Sequence, residues 1–131
     1  MSGFPPNFSP GEFKCKCNGK YCDGNSPQPD RIRHLAWSLQ RIRNEIGLPM
    51  RINSAYRCPE HNRAVGGSPG SYHPQSLAAD IHIDHVPTKQ IADQIEKLME
   101  HSKIPDGGLG RYKTFTHYDI RTVPARWGSN E

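Results

Sequence analysis

A chain of 131 residues, 34% hydrophobic and 23% charged, suits one domain with a modest core, and neither disorder nor a transmembrane helix is indicated. Twelve glycines and twelve prolines argue for much loop and a small sheet, and against a helical bundle. The formal net charge of +4 favours an anionic partner: nucleic acid, a membrane surface or an anionic cell-wall polymer.

The basic residues occur in pairs such as Arg31/Arg33 and Arg41/Arg43, with no run of like charge. The opening Met1-Ser2-Gly3-Phe4-Pro5-Pro6 lacks the basic region and apolar run of a secretory leader. Synthesis in the cytoplasm, or a mature form, is therefore expected.

Residues 1–29 read as an irregular arm, with a short helical turn after Ser9-Pro10-Gly11-Glu12. Pro29-Asp30 then starts a helix over about 31–46, in which Ile32, Leu35, Ala36, Leu39, Ile42 and Ile46 recur at helical spacing and Gly47 ends the run. Pro49 to Ser54 reads as a short strand, Pro59 to Val65 as one or two helical turns, and Gly66 to Ser71 as a loop. Ala78 to Asp84 predicts a strand with Ile81 and Ile83 on one face and Asp80, His82 and Asp84 on the other. A second amphipathic helix is predicted over about 88–102, carrying Ile91, Ala92, Ile95, Leu98 and Met99. Gly107 to Tyr112 turns into a strand, Phe115 to Arg121 is another, and the tail 122–131 reads as loop. The expected class is α+β, a small mostly antiparallel sheet packed with two main helices in a single domain over 1–131.

Four cysteines are present: Cys15, Cys17 and Cys22 cluster early, and Cys58 stands alone. Reduced thiols are the plainest reading; disulfides, or a structural zinc ion on all four, remain open.

His73 and Asp80 are separated by six residues, a spacing that lets a loop residue and a strand residue meet at one ion. His117 on a neighbouring strand supplies a third ligand. Three His or carboxylate ligands with a fourth position free is the donor set of a catalytic zinc site. Strand alternation puts His117, Asp119 and Arg121 on one face, so a second carboxylate and a cation reach the same place. Asp119 is then a general base for the attacking water or an orienter of a ligand, and Arg121 fixes it or binds a substrate carboxylate. His82 is a rival ligand, while His34, His61, His85 and His101 read as surface residues.

Asn53-Ser54-Ala55-Tyr56-Arg57-Cys58-Pro59, Asn62, Val65-Gly66-Gly67, Ser71-Tyr72-His73, Ala78-Ala79-Asp80 and His117-Tyr118-Asp119-Ile120-Arg121 resemble, in order, the pattern of the zinc D-Ala-D-Ala carboxypeptidases. Their relatives include the L-alanyl-D-glutamate endopeptidases of bacteriophage lysis proteins, and the fold is shared with Hedgehog signalling domains. Phe8-Ser9-Pro10-Gly11-Glu12-Phe13 and the early cysteines look like the smaller, often phage-encoded, branch. The resemblance covers about residues 8–128.

It implies one catalytic zinc on His73, Asp80 and His117, with Arg57 polarising the scissile carbonyl. It implies a metallopeptidase acting on the stem peptide of bacterial peptidoglycan, of the endolysin or tail-associated endopeptidase type. The chain would be monomeric, without nucleic acid or membrane insertion, and would reach the wall by lysis or in a phage particle. The alternatives are a D-Ala-D-Ala carboxypeptidase and a non-catalytic zinc-containing wall-binding or particle module. Two departures stand out. Ser76 occupies a place where many relatives have glycine, and Thr114 occupies the place of their catalytic acid, which makes Asp119 the candidate base.

Overall fold

The structure, a computed structural model, describes residues 3–130; Met1, Ser2 and Glu131, the ends of the expected arm and tail, lie outside the described residues. The first long helix, α1 (Pro29–Ile46), begins two residues earlier than expected because Pro29 itself occupies the first turn, where its missing N–H costs nothing. It ends where Gly47 donates its N–H to the Arg43 carbonyl at 2.8 Å. Ile32, Leu35, Ala36, Leu39 and Ile42 are buried along one stripe. Against it packs α3 (Thr88–Glu100), through Ile91, Ala92, Ile95, Leu98 and Met99. The short α2 (Pro59–Ala64) follows the arginine-bearing segment. In the arm, Pro10–Phe13 forms a single 3-10 turn, and the Glu12 carboxylate accepts the Ser9 N–H at 2.7 Å.

Five strands, β1 (Arg51–Ser54), β2 (Ala78–His82), β3 (Gly108–Arg111), β4 (Thr116–Asp119) and β5 (Ala125–Gly128), form one sheet in the order β1-β2-β4-β3-β5. Three pairings are antiparallel, and β3 with β5 is parallel. The α+β class with a mostly antiparallel sheet is thus observed. The tail, expected as loop, instead adds β5. Its residues lack strand periodicity, and long-range ties hold it: Arg126 reaches Asp106 at 2.7 Å and Glu96 at 3.2 Å.

The two faces of the sheet differ completely. Ala79, Ile81, Leu109 and Tyr118 point into the helical layer and are almost fully buried. The other face carries chemistry. One rung crosses four strands as Asp80, His117, Gly110 and Trp127, and a second as Ala78, Asp119, Gly108 and Ala125. Both glycines are spacers. A Cβ on Gly110 would stand 2.7 Å from the Trp127 indole, and one on Gly108 would run into the Asp119 carboxylate.

Candidate metal centre

His73 leaves the loop before β2, and its imidazole is nearly inaccessible. Nδ1 lies 2.7 Å from the carbonyl oxygen of Ala55, so that nitrogen carries the proton and donates. Nε2 faces Asp80 Oδ2 at 3.3 Å. His117, one strand over, places Nδ1 at 2.9 Å from Asp80 Oδ1. The three donor atoms lie within 4.8 Å of one another. The donor set fits a divalent metal: two imidazole nitrogens of fixed orientation and one carboxylate converge on a common point. Burial alone would raise the Asp80 carboxyl, but hydrogen bonds from His117 and His73 outweigh it and hold it below the usual carboxylate range.

Asp119 was expected as a base for the attacking water or as an orienter of a ligand. Its carboxylate lies behind His117 with no solvent exposure. Oδ2 accepts from His117 Nε2 at 2.7 Å, on the ring edge away from Asp80. Oδ1 accepts the Gly108 N–H at 3.0 Å, and Arg121 grips both oxygens, Nε to Oδ1 at 2.8 Å and Nη2 to Oδ2 at 2.7 Å. Burial pushes the Asp119 carboxyl up, but the Arg121 and His117 bonds win and bring it to about 2. His117 is pushed down by burial, yet Asp119 and Asp80 together raise it above its ordinary value.

Arg121, which the sequence left between two roles, is the clamp on Asp119. Its guanidinium also sits over the rings of Tyr72 and Trp127, at 4.5 Å and 4.9 Å from their centroids. His82, the rival ligand, does not join the cluster; it contacts Asn53 Oδ1 at 2.5 Å and Asp84 at 3.4 Å. His34, His85 and His101 are exposed, and His61 is half-buried.

The three candidate ligands open into a cleft of about 560 Å³, lined also by Arg57, Gly66, Gly67, Tyr72, Phe115 and Trp127. Arg57 is half-buried, and its Nε has no hydrogen-bond partner. Desolvation lowers its pKa, only partly opposed by the pull of Asp80. A buried guanidinium N–H left unpaired beside a metal-type donor set is a donor available to something that enters the cleft.

Trp127 was missed from sequence because it sits in the unrecognised β5. Its ring stands 5.1 Å from that of His117, and its Nε1 donates to the Tyr112 hydroxyl at 2.7 Å. The Ala55 carbonyl was also missed, since backbone acceptors leave no residue signature. Ser76, at the position where relatives carry glycine, adopts a left-handed backbone with φ 62°. Its buried hydroxyl contacts the Ser26 hydroxyl at 2.5 Å.

No curated protein matches the chain significantly. A family model does: that of peptidase M15, over residues 6–119, a span holding all three candidate ligands, Arg57 and Asp119. With most of its length matched, the chain belongs to the peptidase M15 family, and so to the metallopeptidases.

Proposed function

We propose that the protein is a zinc peptidase cleaving the stem peptide of bacterial peptidoglycan, most simply as a phage-type endopeptidase. The observation that carries this reading is the convergence of His73 Nε2, Asp80 and His117 Nδ1 beside the unpaired Arg57. His73, Asp80 and His117 would hold the ion. When bound, zinc supplies Lewis acidity to the carbonyl and to the attacking water.

The chain's own residues prepare that chemistry. Ala55 fixes the tautomer of His73, and Asp119 does the same for His117, so both imidazoles present lone pairs without reorganisation. Asp119 is thereby a positioning residue, held in turn by Arg121. Arg57 directs a charged donor at the place where a carbonyl oxygen gains negative charge, an interaction strongest in the transition state. Tyr72, Phe115 and Trp127 wall the cleft and exclude water around a seated peptide. A stem peptide is rich in carboxylates, which suits a cleft lined by two arginines and a chain of net positive charge. The wall polymer would be met after lysis or from a phage particle, by a monomer.

One observation favours a second reading, a wall-binding or particle module that keeps its metal. Among the described residues lining the cleft, Asp80 is the lone carboxylate. Incubation with purified peptidoglycan, followed by mass spectrometry of the fragments, separates the possibilities. A freed stem peptide supports the endopeptidase, and loss of a terminal D-Ala alone marks a carboxypeptidase. Stoichiometric zinc with wall binding and no cleavage at any pH indicates the module. Turnover that survives both chelation and the His73→Ala change sinks the metallopeptidase reading.

A further inference from the structure

The four cysteines meet. Cys15, Cys17 and Cys58 are buried and Cys22 is half-buried, and the four Sγ atoms lie within 4.8 Å of one another. Cys15 Sγ stands 3.8 Å from Cys58 Sγ, and Cys17 Sγ stands 3.6 Å from Cys22 Sγ. Four thiolates around a tetrahedral zinc, each at about 2.3 Å, are separated by about 3.8 Å along every edge. The two measured edges agree with that spacing.

Backbone donors already face the sulfurs. The Gly24 N–H donates to Cys22 Sγ at 3.3 Å, and the Cys58 N–H donates to Cys15 Sγ at 3.4 Å. Such donors stabilise negative charge on sulfur. Lys14, Lys16 and Lys20 flank the cysteines in the chain and lie exposed. The segment between Lys14 and Gln28 contains no helix or strand. Cys15 N–H to Gly24 carbonyl at 2.9 Å and Lys20 N–H to Cys17 carbonyl at 3.1 Å are backbone bonds within it. A loop without helix or strand that nevertheless points three sulfurs inward at a fourth is what a structural metal organises.

We propose that Cys15, Cys17, Cys22 and Cys58 bind a second, structural zinc ion, separate from the His73-Asp80-His117 centre. It staples the N-terminal arm to the segment Ala55–Cys58. That segment contains the carbonyl that holds His73, the Arg57 side chain and, at Tyr56, an N–H bonded to the Phe13 carbonyl at 3.2 Å. The staple therefore fixes from behind the segment between β1 and α2 on which Arg57 stands.

The test is metal analysis and intact mass of the full chain purified without chelator. Two zinc ions per chain are expected, falling to one in His73→Ala and to one in the Cys17→Ser/Cys22→Ser double variant. Should that double variant fail to fold, the wild type suffices. Cobalt loading produces thiolate-to-metal charge-transfer absorption that His73→Ala leaves in place, and all four thiols label only after chelator and denaturant are combined. A zinc count unchanged by the cysteine substitutions in folded protein overturns the proposal. So does an intact mass short of two or four hydrogens, or iron in place of zinc. A chain whose one zinc survives His73→Ala and is lost with the cysteines keeps this site and defeats the catalytic reading instead.

Discussion

Asp119 Oδ2 and His117 Nε2 are 2.7 Å apart, on the side of the ring remote from the Asp80 carboxylate that Nδ1 meets at 2.9 Å. The two contacts use opposite edges of one imidazole. A carboxylate in that place holds His117 from behind and does not reach past it to the cleft. Asp119→Asn keeps an acceptor for His117 but loses the charge and half of the Arg121 clamp. Zinc affinity is expected to fall about 10–100-fold. Peptidase activity should recover substantially when zinc is raised to saturation. Activity abolished at full zinc occupancy would instead return Asp119 to the role of base. Competition with a fluorescent chelator, run beside the activity assay, reads both quantities.

The contrast between what was legible and what was not follows from the kind of signal involved. Alternation along β2 and β4 puts Asp80, His117 and Asp119 on one face, and motif order brings in His73 and Arg57. Alternation does not say which atom meets which. That Asp119 points into Gly108 and Arg121 depends on a glycine across the strand pair, and no local pattern displays it. The strand β5 was hidden for a related reason. Pro124 directly precedes it, Ala125 and Gly128 are poor strand residues, and the segment is fixed by Asp106, Glu96 and the room above Gly110.

Trp127 tests that last point. It leans over Gly110 to reach His117 and Arg121. Trp127→Ala is expected to cost about 2 kcal/mol, below the 3–5 typical of a fully buried tryptophan. The loss should appear in denaturant unfolding, together with a raised KM from the opened cleft wall. Gly110→Ala should destabilise as well, because its Cβ would meet the indole at 2.7 Å. Combining the two should recover part of the summed loss, since the smaller wall residue relieves the clash. Strict additivity would show that the rung does not couple the two positions.

Arg57 makes a kinetic prediction. Its Nε is buried without a partner, so the free enzyme bears a desolvation cost that only a bound acceptor relieves. Arg57→Ala should lower kcat by about 100–1,000-fold, the usual effect of removing one donor to a developing oxyanion. Zinc content should be unchanged. Arg57→Lys restores the charge but not the forked donor geometry, and should recover only a small part of the rate. A change confined to KM would mean that Arg57 binds substrate equally in ground and transition states.

The pH dependence of the metal-free chain has two limbs. Asp119 is depressed from 3.8 to about 2, so its contribution is complete above the ordinary value and is lost as pH falls through the lower one. His117 is raised, so its contribution is complete below its ordinary value of 6.5 and is lost as pH climbs through the raised one. In the chelated chain the pair is therefore worth most in mildly acidic solution, and the thermal midpoint should fall on both sides. Asp119→Asn should flatten both limbs, although the acid limb retains the share due to Asp80, which is depressed in the same direction. If zinc takes the place of the proton on His117, as proposed above, the loaded protein should keep its stability as pH rises and lose it in acid, when protons displace the metal. Thermal melts across pH, with and without zinc, check this. A falling alkaline limb that persists with zinc bound would show that His117 is not a ligand.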